Sequence, residues 1–113
     1  MNINKKDIIA INMEVGESGE LQNPSSLEFA LSIIKHQKSW LYELSYLARS
    51  MLVDHAFIDG NKRTSLALIL LYFDDNDVEC DKQRIVKAIH KISKQNFKDI
   101  NKIMRLIKNG ISC

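Results

Sequence analysis

The chain has 113 residues, of which 45% are hydrophobic and 27% charged, so we expect one domain, residues 1–113, with a single modest core. This composition excludes a largely disordered chain, and one proline with only four glycines favours helices over a turn-rich fold. The net charge is +2, but the charge is unevenly distributed along the chain. Residues 1–60 carry 5 basic and 8 acidic side chains, whereas residues 82–108 carry 9 basic and 1 acidic.

The basic segment 82–108 is open to more than one interpretation. It can face nucleic acid, an acidic protein partner or a ribosomal component. Because it has no interleaved exposed aromatics and no arginine cluster, a solvated lysine face is the simplest interpretation. Direct binding of nucleic acid is therefore not expected.

Nothing in the sequence directs the protein out of the cytoplasm. The two cysteines, Cys80 and Cys113, lack the spacing of a zinc site or a disulfide scaffold. No secretory signal is visible, and the longest apolar run, residues 66–73, is too short to cross a bilayer. We expect a cytoplasmic protein with free thiols and no membrane contact.

Capping residues and apolar spacing predict three helices before residue 54. Asn4 caps the first helix, which Gly16 ends. Residues 16–23 predict a loop or a short hairpin, because they hold two of the four glycines. Asn23-Pro24 begins the second helix, and Ser39 caps the third. The residues predicted to face the core are Ile8, Ile11, Val15, Leu27, Leu31, Ile34, Leu41, Leu44, Leu47, Ala48, Met51 and Leu52.

Three further helices are predicted after residue 60. Residues 66–73 are apolar on every side, which favours a central buried helix over a buried strand, given their leucine content. Asp81 caps the fifth helix, Asn96 caps the sixth, and Asn109-Gly110 ends it. Their core-facing residues are predicted to be Ile85, Val86, Ile89, Ile92, Ile100, Ile103, Met104 and Ile107. The fold class is therefore all-α, with about six helices and one short hairpin.

Residues 55–64 concentrate polar and charged side chains between two apolar helices. The amino end of a helix accepts phosphate through unpaired N–H groups, and Lys62 and Arg63 would add positive charge there. Asp59 offers the hard oxygen ligand that Mg²⁺ takes alongside substrate phosphates. His55 can act as a general base towards an attacking hydroxyl. Together these residues indicate nucleotide chemistry.

The same segment excludes one motif and resembles another. It is not a P-loop, because Asn61 stands where that motif needs glycine before the lysine. Residues 55–63, His-Ala-Phe-Ile-Asp-Gly-Asn-Lys-Arg, resemble the Fic superfamily motif H-x-F-x-[D/E]-G-N-x-R. Most AMP-transferring members have glycine where this chain has Lys62, and a second arginine where it has Leu66. The resemblance is therefore to the death-on-curing (Doc) branch.

The resemblance implies a role for each matching residue. His55 matches the catalytic base, and Asp59 matches the carboxylate that binds Mg²⁺. Phe57 matches the apolar anchor of the loop, and Arg63 matches the phosphate-clamping arginine. The residues that match the anion-binding turn, with backbone N–H groups towards phosphate, are Gly60, Asn61 and Lys62.

Residues 19–30 are similar to the flap and following helix of Doc-like chains. The flap residues Gly19, Glu20, Leu21 and Gln22 would align a target peptide by strand pairing. Doc-like proteins transfer the γ-phosphoryl group of ATP to a threonine of a translation elongation factor. The resemblance thus implies a toxin that phosphorylates a Ser or Thr hydroxyl, with ATP and Mg²⁺ as cofactors.

Regulation and alternatives follow from the same comparison with the family. Many members carry an inhibitory helix with the pattern [S/T]-x-x-x-E-[G/N], but no glutamate in this chain precedes Gly or Asn. Doc-type toxins are instead silenced by a separate antitoxin, which we expect here.

Three alternatives stay open: an AMP transferase with the same motif, a catalytically idle helical binding module, and a basic DNA-binding protein that would use residues 82–108.

Overall fold

The computed structural model describes residues 2–34 and 39–111 and folds them into six α-helices. Their bounds are α1 Lys5–Glu14, α2 Pro24–Ile34, α3 Trp40–Leu52, α4 Asn61–Asp75, α5 Lys82–Gln95 and α6 Ile100–Lys108. The all-α prediction is confirmed. Within these two ranges, no helix has the length and apolar character needed to cross a bilayer. Cys113, for which we predict a free thiol, lies outside the described residues.

The predicted cap residue precedes most of the helices, although Ser39, at the start of α3, makes no side-chain capping hydrogen bond. The Asn4 side chain accepts a hydrogen bond from the Asp7 N–H, and the Asp7 carboxylate accepts one from the Asn4 N–H, which completes a capping box. The Asp81 carboxylate caps α5 by accepting hydrogen bonds from the Gln83 and Arg84 N–H groups, without a capping box. The prediction that Asn96 caps the sixth helix is wrong, because Asn96 takes a left-handed conformation with φ 55° and ends α5. Asp99 caps α6 instead, accepting a hydrogen bond from the Asn101 N–H.

One core cluster contains buried apolar side chains from all six helices. The central helix is α3 rather than α4, since α3 packs against α2, α4, α5 and α6. The α4 helix packs against α1, α3 and α5 and leaves Leu71 43% exposed, so its apolar run is not enclosed on every side. The predicted core residues that are only half-buried are Ile11, Val15, Leu31, Ile34, Leu41, Val86, Ile100 and Met104.

The loop between α1 and α2 differs from the predicted hairpin. Leu21 forms an isolated antiparallel bridge with Phe57 instead of pairing within its own loop. The Ile58 N–H donates to the carbonyl of Glu20 at 3.1 Å, and the Gln22 N–H donates to the carbonyl of Ala56 at 2.8 Å. Two glycines with positive φ before residue 20 turn the chain towards the segment that precedes α4. The loop is therefore hydrogen-bonded to residues 56–58, which belong to the polar segment 55–64.

Candidate active site

The motif residues surround one cavity of about 420 Å³ at the amino end of α4. The end of α3, the connecting segment 53–60 and the first turn of α4 form most of its wall. Its lining residues are Glu17, Met51, Leu52, His55, Ile58, Asp59, Gly60, Asn61, Lys62, Arg63 and Ser93. The structure thus brings together every residue predicted to act as base, metal ligand or phosphate ligand.

The first turn of α4 presents to this cavity backbone N–H donors that have no hydrogen-bond partner among the described residues. Gly60 stands at the N-cap position with φ 79° and places no side chain on the helix end. The N–H groups of Asn61, Lys62 and Arg63 precede the first hydrogen bond of the helix, which the Thr64 N–H makes to the Gly60 carbonyl at 2.8 Å. This arrangement suits an anion, because the free N–H groups and the helix dipole both favour negative charge.

The Asn61 side chain braces the loop from inside. Its Oδ1 accepts a hydrogen bond from the Phe57 N–H at 3.0 Å, and its Nδ2 donates to the Phe57 carbonyl at 2.9 Å. The Phe57 ring itself is fully buried in the core, where the resemblance places an apolar anchor. These two hydrogen bonds fix the orientation of the Asn61 amide, and its backbone N–H remains at the amino end of α4.

His55 lies at the rim of the cavity in an unusual backbone conformation. Its φ is 52°, in the left-handed region that non-glycine residues rarely adopt, and its side chain is exposed. Its neighbour Ala56 is fully buried and holds the strained turn, donating to the Ser50 carbonyl at 2.9 Å and accepting from the loop before α2. Such strain is typical of functional positions, where the surrounding structure fixes a side chain. Among the described residues, nothing hydrogen-bonds the His55 imidazole, so it is open to a substrate.

Arg63 is held by an acidic partner that the sequence does not indicate. One guanidinium nitrogen lies 2.9 Å from the Glu17 carboxylate, and the other donates to the Val15 carbonyl at 2.9 Å. The Glu17 side chain is 17% exposed, whereas that of Arg63 is 60% exposed. Glu17 also lines the cavity, so an anion bound by Arg63 would meet this carboxylate. No sequence signal predicts the contact, because Glu17 belongs to a glycine-rich loop without periodicity.

Asn12 is a second residue that sequence reasoning missed. It is 1% exposed, and its Nδ2 donates to the Asp59 carbonyl at 3.1 Å and to Thr64 Oγ1 at 3.0 Å. Its Oδ1 accepts from the Gly19 N–H at 2.9 Å. One buried amide thus joins α1, the flap and both sides of the motif. The available signal was its position one turn after Ile8, where the inner face of a helix normally carries an apolar residue.

The predicted flap residues lie beside the motif loop but do not line the cavity. Glu20 and Gln22 use backbone groups to pair with the segment 56–58. The N–H and carbonyl of Leu21 make no hydrogen bond within the described residues and point to the opposite edge, as the alternation of an extended strand requires. That edge is therefore free of backbone pairing among the described residues.

Asp59 is the only carboxylate of the cavity without a salt-bridge partner among the described residues. Its side chain is exposed, and its carbonyl is fixed by Asn12. Within residues 2–34 and 39–111, no three His, Cys, Asp or Glu side chains form a metal cluster. The donor set fits Mg²⁺ held by one carboxylate and the phosphates of a nucleotide, and it does not fit a metal held by protein ligands alone.

Comparison with protein-family models finds no match for the chain, and comparison with curated proteins finds none either. The resemblance of residues 55–63 to the Fic motif therefore stays a prediction. Function is inferred here from the chemistry of the site, since a helical fold alone supports many activities.

Proposed function

We propose that the protein is a Doc-type member of the Fic superfamily that transfers the γ-phosphoryl group of ATP to a Ser or Thr hydroxyl of a target protein. One observation carries the proposal: His55, Asp59, Lys62 and Arg63 line the same cavity as the uncapped amino end of α4. A base, an oxygen ligand and a phosphate cradle are the parts that phosphoryl transfer needs, because its catalysis consists mainly of positioning and charge stabilisation.

The proposed reaction assigns a step to each group. The His55 imidazole takes the proton of the target hydroxyl, whose oxygen forms a bond to the γ-phosphorus while the bond to the bridging oxygen of ADP breaks. ADP leaves with that electron pair. The N–H groups of the first turn of α4 and the Lys62 ammonium hold the phosphate oxygens. Mg²⁺, held by Asp59 and phosphate oxygens, would neutralise charge on the nucleotide.

The experiment uses ATP labelled at either the α or the γ position. Purified protein is incubated with cell extract, Mg²⁺ and each label, and transfer to protein is measured. We expect label from the γ position only, and a loss of about 10² to 10⁴ in rate for His55→Ala. Asp59→Asn should also lose activity, whereas Asp54→Asn, a matched change at an exposed aspartate outside the cavity, should retain it.

Other outcomes select other functions. Label from the α position would make the protein an AMP transferase. No transfer from either label, with no nucleotide bound, would favour a catalytically idle binding module. If His55→Ala transferred label at the wild-type rate, His55 would not be the general base.

We also propose that the activity is controlled by an antitoxin with an acidic segment, and that its target is a translation factor in the cytoplasm. A groove of about 330 Å³ between α5 and α6 supports an acidic partner, because Arg84, Lys87 and Lys91 line it together with Leu106 and Asn109. Affinity for such a partner should fall as salt rises, and a salt-independent affinity would contradict this assignment.

A further inference from the structure

A groove of about 300 Å³ lies between α1 and the second half of α4, and it shares no lining residue with the candidate active site. Its apolar floor consists of Ile3, Ala10 and Ile11 of α1 and its approach, together with Leu71 of α4. Leu71 is 43% exposed and Ala10 is exposed, so this apolar strip is open to solvent. The charged residues of the lining are Asp7 and Glu14, and both are acidic.

The groove between α5 and α6 has a similar make-up and the opposite charge. Ala88 and Leu106 give it an apolar floor, and its charged residues, Arg84, Lys87 and Lys91, are all cations. The two grooves belong to different faces of the molecule, because α1 makes no contact with α5 or α6 among the described residues. Each copy of the chain therefore carries one apolar surface with an acidic rim and another with a basic rim.

The charges on the two faces are spaced alike. Asp7 and Glu14 lie two helical turns apart on one side of α1, and Arg84 and Lys91 lie two turns apart on one side of α5. At a rise of 1.5 Å per residue, each pair spans about 10 Å along its helix. Helices from two copies laid side by side can therefore form both ion pairs at once. Within the described residues, Glu14, Lys87 and Lys91 have no ion-pair partner, so their charges are available for such a contact.

We propose that the protein associates with itself, the α1–α4 groove of one copy docking on the α5–α6 groove of a second. The contact joins the two apolar strips and pairs Asp7 and Glu14 with Arg84 and Lys91, so a second copy supplies both the matching charge and the matching spacing. Two different surfaces meet, which makes the contact heterologous. The association is weak and sensitive to salt, because exposed ion pairs contribute little each and are screened. The acidic antitoxin segment proposed above would compete with the second copy, since both use the same cations.

Sedimentation equilibrium of the full chain without any partner tests the inference. The mean mass of the wild type should rise with concentration at low salt, and the dissociation constant should increase severalfold when the salt is raised from about 50 mM to about 500 mM. Glu14→Lys and Lys91→Glu should each weaken self-association at least about five-fold, because each replaces an attraction by a repulsion. These positions are preferred because Asp7 completes the capping box of α1 and Arg84 lies 3.7 Å from Asp81.

Mixing the two variants separates a specific contact from general charge effects. An equimolar mixture of Glu14→Lys and Lys91→Glu should regain association, because the unchanged Lys91 of the first variant faces the unchanged Glu14 of the second. Glu79→Lys and Lys98→Glu make the same changes of net charge at exposed positions outside both grooves. Each of these controls should associate as the wild type does.

Three results would overturn the inference. The first is a wild-type chain that stays monomeric at low salt up to about 1 mM, the weakest affinity worth calling a contact. The second is self-association that survives both charge reversals, because the copies would then meet through other surfaces. The third is a mixture of the two variants that associates no better than either variant alone. None of these results bears on phosphoryl transfer, which uses a different part of the molecule.

Discussion

The Glu17 carboxylate lies 2.9 Å from the Arg63 guanidinium, 46 residues further along the chain. Arg63, which is predicted to clamp a phosphate, therefore already has an anionic partner. A phosphate at the α4 terminus must either share Arg63 with Glu17 or displace it. We therefore expect Glu17 to affect the affinity of the cavity for anions.

Glu17→Gln should raise the affinity for tripolyphosphate. The change removes a negative charge from the cavity wall and frees Arg63. An exposed ion pair of this kind contributes about 0.2–1 kcal/mol, so the expected gain in affinity is about 1.4- to five-fold. Titration calorimetry measures it. Glu14→Gln, an exposed glutamate outside the cavity, is the matched control and should change the affinity little. Weaker binding by Glu17→Gln would show that Glu17 orients Arg63 for the anion.

Asn12→Leu should destabilise the fold by about 2 kcal/mol or more. It leaves the Gly19 N–H and the Thr64 hydroxyl without their buried partner, and each unsatisfied buried group costs about 1–3 kcal/mol. Urea unfolding measures the loss. Thr64→Val removes only one of these bonds and should cost less. Equal stability of Asn12→Leu and the wild type would contradict the bracing role of the amide.

The sequence predicts the helices and the make-up of the site well, because both depend on local patterns. A few neighbouring residues are enough to predict the caps at Asn4 and Asp81 and the apolar spacing of α3. The motif lies within ten consecutive residues, so its members meet in one cavity almost by necessity.

What the sequence could not supply are the contacts between distant segments. Glu17 and Asn12 reach the motif only because the loop after α1 turns towards it, and loop paths carry no periodic signal. The misassigned cap at Asn96 has a local cause, since asparagine serves both as an N-cap and as a left-handed C-cap. The exposure of Leu71 reflects which helices cover α4, a property of the whole packing.

Gly60→Ala should cost more stability than Gly16→Ala. Both positions have positive φ, 79° and 96°, so both variants carry the left-handed penalty of about 1–2 kcal/mol. A methyl group at Gly60 would also collide with the Glu17 side chain, whereas at Gly16 its nearest neighbour, an Arg63 nitrogen, is 3.9 Å away. Thermal unfolding compares the two variants.

The collision also has a functional consequence. Glu17 must move to admit the methyl group, and the ion pair with Arg63 then breaks, so Gly60→Ala should alter tripolyphosphate affinity as well as stability. Gly16→Ala should leave that affinity near the wild-type value. Equal losses of stability in the two variants would mean that Glu17 relaxes freely and does not pack firmly against Gly60.

Tyr72→Phe should leave stability unchanged near neutral pH or raise it by up to about 1 kcal/mol. The Tyr72 hydroxyl is buried and has no hydrogen-bond partner among the described residues, so its removal relieves a desolvated group. Burial, with smaller contributions from the charges of Glu43 and Asp75, raises the pKa of Tyr72 far above its usual value. Urea unfolding at neutral pH measures the first effect.

The raised pKa of Tyr72 adds an alkaline signature to the same variant. Above about pH 10 the tyrosine ionises in the unfolded chain but stays protonated in the folded one. The folded state then binds more protons, so stability falls as pH rises from about 10 towards the folded-state pKa. Tyr72→Phe lacks this group and should gain stability over the wild type progressively above pH 10. Tyr42→Phe is the control, because the Tyr42 hydroxyl donates a hydrogen bond to Asn101 at an exposed position. A constant difference between Tyr72→Phe and wild type from pH 8 to 11 would mean that the hydroxyl ionises as readily in the folded protein as in the unfolded chain.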